Sequence, residues 1–194
     1  GSISQMCGNG VRVFARHLVD EGLETGTEFA VATRDGDKFM TLNSDGTISV
    51  DMGPYVVGGT SAVTAEGHTR QAREVHTGNP HAVVFVESVD DAGTLLVEPH
   101  FDASVYPEGV NIEFVETLAP AHVRMRVHER GSGETRSCGT GACAVGIAVA
   151  QERGLGTYRV DVPGGTLLIT VESGRTILTG PAVIVARGEL EWLA

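Results

Sequence analysis

The sequence is short of cysteine, of basic residues and of long apolar runs, and each shortage excludes a class of protein. Only three cysteines occur among 194 residues, Cys7, Cys138 and Cys143. An odd, low count does not build a disulfide-stapled secreted domain. It fits a reducing cytosol in which at least one thiol is kept for chemistry or packing. Lysine and arginine number 14 against 25 acidic residues, a formal charge of −11, and no basic cluster stands out. That argues against nucleic acid as a partner. No apolar stretch nears the ~20 residues of a membrane span, so no membrane partner is expected, and no signal-peptide pattern opens the sequence. What remains is ordinary globular composition, 41% hydrophobic and 20% charged, enough for one large domain or two small ones.

Apolar periodicity predicts two helices in a chain otherwise made of short strands. Residues 9–21 carry Val11, Phe14, Ala15, Leu18 and Val19 at i, i+3, i+4, i+7 and i+8, a single stripe expected to be buried, with Gly22 as the stop. A second helix, from about Thr140 to Arg153, is apolar almost all round and is expected to be enclosed by protein. Phe29–Thr33, Lys38–Asn43 and Thr47–Met52 are separated by Asp35-Gly36 and Asp45-Gly46, a meander of hairpins. Further strands are expected at Ser61–Ala65, Gln71–Val75, His81–Glu87, Val110–Val115, Val123–Val127, Tyr158–Val162, Thr166–Val171 and Ala182–Ala186. Residues 88–108 read as a loop with one helical turn.

The two helices begin alike. Met6-Cys7-Gly8-Asn9-Gly10 opens the first and Ser137-Cys138-Gly139-Thr140-Gly141 the second, and each helix ends in a glycine 15 or 16 residues after its cysteine. Strands follow both. A repeated cysteine-glycine-x-glycine unit before a helix suggests an internal duplication. The expected fold is α+β, with two pseudo-symmetric lobes, each a β-barrel-like sheet wrapped around a central helix. Residues 1–54, completed by 182–194, would form the first lobe, and 55–181 the second. The second cysteine has ample strand-forming chain before it and the first has six residues, so the first lobe is expected to be incomplete. The first Met is Met6, which suggests processing, tagging or truncation.

A cysteine at a helix start faces unpaired N–H groups and the positive end of the dipole, which favour anions and are expected to lower a thiol pKa. A carboxylate between two such starts receives N–H donors from both. An α-amino acid held there would have a thiol on each face of its α-carbon, one to remove a proton and one to return it. Cys143, inside the second helix, is expected only to pack. It makes no metal pair with Cys138, since no second pair completes a site.

Met-Cys-Gly-Asn-Gly-Val-Arg (6–12), Gly-Asn-Pro-His (78–81), Gly-Val-Asn-Ile-Glu (109–113) and Glu-Arg-Gly-Ser-Gly-Glu-Thr-Arg-Ser-Cys-Gly-Thr-Gly-Ala (129–142) together resemble the diaminopimelate epimerase family. The resemblance covers the whole chain. It implies two catalytic thiols, Cys7 and Cys138, and no cofactor. It implies that Gly8, Asn9, Gly139 and Thr140 receive the reacting α-carboxylate and that Glu129 holds the α-ammonium and supports proton transfer. Arg130 would pair with the distal carboxylate, Asn79 and Asn111 would fix the distal stereocentre, and His81 would assist the thiols. The substrate would be LL-diaminopimelate, converted to the meso form in lysine and peptidoglycan-precursor biosynthesis, by a cytoplasmic homodimer. No metal is implied.

Gly1-Ser2 match the tail of a family motif whose earlier part the sequence lacks, so the chain alone is expected to have a loosened first lobe and impaired activity. Two rivals stand beside this reading. One is a proline racemase or hydroxyproline epimerase, against which the Glu129-Arg130 block argues. The other is a non-catalytic binding or redox module using the thiols as a switch. Solvent-deuterium incorporation into diaminopimelate discriminates them.

Overall fold

A computed structural model of the protein describes residues 7–188. Helix α1 spans Gly8–Asp20 and α2 spans Gly139–Arg153. The strands are β1 (Glu28–Thr33), β2 (Gly36–Leu42), β3 (Ile48–Gly53), β4 (Val56–Ala65), β5 (His68–His76), β6 (Pro80–Val86), β7 (His100–Phe101), β8 (Asn111–Ala119), β9 (His122–Glu129), β10 (Gly133–Glu134), β11 (Gly156–Val162), β12 (Gly165–Glu172) and β13 (Arg175–Gly180), with a 3₁₀ turn at Val89–Ala92. The expected mixture of α and β is present, with two helices against one large sheet.

The sheet runs in the order β1-β2-β3-β13-β12-β11-β9-β8-β6-β5-β4-β7, with β10 paired to β9. Hairpin neighbours are antiparallel, while β6–β8 and β9–β11 are parallel. Pairing of β13 with β3 carries the N-terminal meander into the rest of the sheet. The strand expected at 182–186 is absent. Residues 181–188 have no regular secondary structure, and the joining strand is Arg175–Gly180. The run 182–186 has strand-like composition but no pairing strand among the described residues, and composition alone does not make a strand. The chain beyond it, and Gly1–Met6, lie outside the described residues.

Two cores result. The larger gathers α2 with Val11 and Ala15 of α1, Met40, Ile48 and Val50 of the first meander, and Val123, Met125, Ile169 and Leu178. The smaller contains Val63, Ala72, Ala82, Val84, Ile112 and Phe114 under Leu95 and Tyr106. Alternation along two strands decides which side is which. Val83 and Val115 belong to the larger core, while Ala82, Val84, Ile112 and Phe114 belong to the smaller. Both faces of β6 and β8 are therefore covered, which is why these strands read as nearly continuous apolar runs.

Helix α2 is enclosed as expected, buried from Gly139 through Ala150. Helix α1 is not buried along the expected stripe. Gly8, Val11, Arg12 and Ala15 face inward, whereas Phe14 is 48% exposed and Leu18 only partly covered. The cause is Arg12. Its guanidinium donates to Gly8 O (3.0 Å), Asn9 Oδ1 (3.0 Å) and Pro181 O (3.4 Å), which turns its own face inward and Phe14 outward. A buried cation with fixed acceptors outweighs the weaker preference of one aromatic side chain.

Candidate active site

Both motif cysteines are N-cap residues. Cys7 (φ −119°, ψ 104°) and Cys138 (φ −111°, ψ 114°) have extended backbone. Each sulfur accepts the N–H three residues on, Gly10 N to Cys7 Sγ at 3.3 Å and Gly141 N to Cys138 Sγ at 3.4 Å. The repeated sequence thus produces repeated local geometry. It also produces contact. A Cβ on Gly139 would lie 3.1 Å from Gly8 Cα, so the first residues of the two helices touch, and glycine is what permits it. Asn9 Nδ2 donates to Ser137 O (2.9 Å), tying the start of α1 to the chain entering α2.

A cavity of about 700 Å³ opens beside this junction. Cys7, Val11, Phe14, Val31, Asn79 and Thr140 are among its walls. Cys7 is exposed to it and Cys138 is buried behind Thr140. First-turn N–H groups of both helices have no intrahelical acceptor and suit a carboxylate.

The remaining predicted residues fall into two groups. His81 and Asn79 join Cys138 through a chain of hydrogen bonds. His81 Nε2 is 2.9 Å from Asn79 Oδ1, Asn79 Nδ2 donates to Thr140 Oγ1 (3.4 Å), and Thr140 Oγ1 is 3.5 Å from Cys138 Sγ. Asn111 lies beside His81 in the parallel register of β6 and β8, Glu129 and Arg130 stand at the end of β9, and none of the three lines the cavity. The Glu129 carboxylate accepts from Thr135 Oγ1 and bears electrostatically on Cys138. Asn111 is committed to backbone, accepting from Arg130 N (3.0 Å) and donating to Pro80 O (3.2 Å). Arg130 donates to Glu108 O (2.8 Å) and lies against Gly109.

The expectation of a lowered thiol pKa fails at Cys138. Burial pushes this thiol well above the usual range and the carboxylates of Glu113 and Glu129 push it further, outweighing the Thr140 hydroxyl and the Gly141 N–H. At rest Cys138 therefore holds its proton. Cys143 packs as expected, fully buried, its thiol pushed up to about 12 by burial.

Two residues here escaped the sequence reading. Arg12 sits in the first motif and braces α1. Glu113 ends the third motif, fully buried, its Oε1 at 2.7 Å from His81 Nδ1. A glutamate inside an apolar strand run was the available signal for it.

The sequence and the fold match known proteins. The model of the family described as diaminopimelate epimerase fits residues 1–58 and 74–185. The chain belongs to the diaminopimelate epimerase family. It is an isomerase, an epimerase. The diaminopimelate epimerase of Streptomyces coelicolor is 52% identical over 206 aligned residues, which take in 100% of this chain and 71% of the relative. That of Rhodococcus opacus is 42% identical, over 98% of this chain and 70% of the relative. Among solved structures, a phenazine biosynthesis protein of the PhzF family from Bacillus anthracis superposes with a TM-score of 0.70 at 18% identity, covering 93% of this chain and 74% of that one. A hydroxyproline epimerase from Agrobacterium vitis gives a TM-score of 0.67 at 16% identity, covering 91% and 65%. At such identities these structures establish the shared fold alone.

Proposed function

We propose that the chain interconverts LL- and meso-diaminopimelate without a cofactor, by moving a proton across one α-carbon between Cys7 and Cys138, in the supply of lysine and peptidoglycan precursors. The observation that carries this reading is the contact of two cysteine-capped helix starts at Gly8 and Gly139. An α-carboxylate bound to both sets of N–H groups has its α-carbon between the sulfurs. The Cys7 thiolate takes the proton from one face. The bonding pair of the broken C–H bond passes into the carboxylate, which becomes a planar enediolate, and the helix N-termini stabilise the charge gathering there. Cys138 S–H then gives its proton to the opposite face. Cys7 ends as thiol and Cys138 as thiolate, and the reverse reaction exchanges the roles. Glu129, close enough to act on Cys138, is suited to the α-ammonium, and Arg130 to the distal carboxylate, where a planar guanidinium forms two parallel bonds.

The family name favours diaminopimelate over proline-like substrates, and the Glu129-Arg130 block agrees with it. The test is deuterium uptake at the α-carbons of diaminopimelate in heavy water. Uptake and LL-to-meso conversion are expected with the unaltered protein, no conversion with Cys7→Ala or Cys138→Ala, and near-normal conversion with Cys143→Ala. Unimpaired conversion in either of the first two variants would overturn the two-thiol reading.

A further inference from the structure

The face of β8 that carries Val115 into the core around α2 also carries Glu113, two residues earlier on the strand. Glu113 and its neighbour His81 on β6 are both fully buried. Oε1 lies 2.7 Å from His81 Nδ1, while Oε2 has no hydrogen-bond partner among the described residues. A carboxylate taken out of water with one oxygen unpaired is costly, so its retention calls for a use. Space has also been kept for it. A Cβ on Gly141 would come within 2.7 Å of Glu113 Oε1 and 3.2 Å of Cys138 Sγ.

The use follows from counting donors. Asn79 Oδ1 only accepts, so His81 Nε2, 2.9 Å away, carries a hydrogen. Asn79 Nδ2 donates to Thr140 Oγ1, which leaves that hydroxyl's own hydrogen free to turn to Cys138 Sγ, 3.5 Å away, once the sulfur is a thiolate. Each bond in the row runs in the same sense, from ring to sulfur. A neutral imidazole has a single N–H. With that hydrogen on Nε2, Nδ1 either accepts a proton held by Glu113 or holds a second proton facing the carboxylate. In both cases one proton lies between Oε1 and Nδ1.

We infer that Glu113 is a positioning residue that keeps the hydrogen of His81 on Nε2 and so, through Asn79 and Thr140, aims a hydroxyl hydrogen at the sulfur of Cys138. This rests on Cys138 being a proton carrier. When Cys138 has given up its proton, the sulfur receives donors from Thr140 and from the Gly141 N–H, which offset the burial that disfavours its charge. Reversed, the row would present Thr140 to Cys138 as an acceptor and leave the thiolate with one donor fewer.

Two measurements test this. The first uses unaltered protein labelled with ¹⁵N-histidine. His81 is expected to show a protonated Nε2 at pH 7.5, and a bare Nε2 would overturn the inference. The second is a variant series in the exchange assay. Glu113→Leu and Thr140→Val should each lower kcat about 10- to 100-fold, the size of one hydrogen bond to a charged sulfur, with KM within about twofold. Glu113→Gln, whose amide still donates to Nδ1, should lose clearly less than Glu113→Leu. The double variant Glu113→Leu/Thr140→Val should be no worse than the poorer single, because one row is broken either way. Losses that multiply, or a Gln variant as poor as Leu, would overturn the inference. Should Glu113→Leu fail to fold, the Gln and Val variants and the nitrogen spectrum decide. Cys138→Ala separates the two proposals: normal LL-to-meso conversion there defeats the two-thiol reading, whereas lost conversion there with unimpaired Glu113 variants defeats only this one.

Discussion

Gly139→Ala tests whether the contact between the helix starts sets the chemistry. The new Cβ would lie 3.1 Å from Gly8 Cα, 3.4 Å from Gly8 N and 3.3 Å from Leu178 Cδ1. Carbon atoms pack at about 3.5–4.0 Å, and the nearest obstacle is backbone, so the helix starts must part by roughly 0.5 Å. Proton transfer needs reacting atoms within ~3–3.5 Å, and a ~1 Å misplacement costs on the order of 100-fold. Half that displacement predicts a loss of about tenfold in kcat for exchange. Overpacking costs about 1–3 kcal/mol of stability, offset by up to ~1 kcal/mol from the better helix propensity of alanine. Gly146→Ala is the control. It lies deeper in α2, where its Cβ would meet Ile169 Cγ2 at 2.7 Å, so it should cost similar stability with little change in kcat. Urea midpoints and exchange rates on both variants decide the matter. Equal kcat losses, or none at Gly139→Ala, would refute the argument that this contact spaces the thiols.

The other expectations concern neighbouring groups. Arg130→Lys should raise KM for diaminopimelate about tenfold with kcat retained at saturation, since a point charge does not replace a planar fork; an unchanged KM removes Arg130 from substrate recognition. Iodoacetamide should modify Cys7 before Cys138 or Cys143, since Cys7 is exposed and the others are buried with raised pKa values, and peptide mass spectrometry gives the order. Burial works against ionised Asp161, but hydrogen bonds from Arg159, His122 and Thr166 win, lowering its pKa from 3.8 to about 2. A depressed carboxylate contributes stability that is whole above its unfolded pKa and lost as pH falls through the folded one. Unaltered protein should therefore exceed Asp161→Asn in stability above about pH 4 and lose that advantage toward pH 2, a trend that acid titration of the urea midpoint checks.

What the sequence disclosed was what depends on nearby residues. An all-apolar helix at 139–153 has to be enclosed, and cysteine-glycine-x-glycine before each helix placed both N-caps. Paired asparagine and histidine in Gly-Asn-Pro-His reached the site because they lie two apart on one strand end and share its face. Features settled by distant partners were lost. The strand β13 carries Ile177 and Leu178 side by side, so its alternation is hidden, and it is placed by pairing with β12 and with β3, over 120 residues earlier in the chain. The inward turn of Arg12 depends on Pro181 O as well as on its own helix, and no periodicity of α1 contains that information. Glu113 was visible as an acid in an apolar run, but its meaning lies in His81, 32 residues away on a parallel strand.

The two caps repeat each other in backbone and in the N–H each sulfur accepts, and differ in burial and in the charges near the sulfur. Cys7 opens to the cavity, while Cys138 is buried with two carboxylates raising its proton affinity. On the two-thiol reading this asymmetry sets the order of events. A resting Cys138 that keeps its proton is ready as the acid, which leaves Cys7 to begin as base. The return reaction needs a Cys138 thiolate, and here the substrate contributes. Its α-ammonium, placed by Glu129, would bring a positive charge near the sulfur, and an opposite charge within about 4–6 Å favours the ionised form. Binding that neutralises Glu129 also removes one of the carboxylate influences that hold the proton on Cys138. The second thiol is thus kept inert when the site is empty and is released to ionise by the molecule on which it acts.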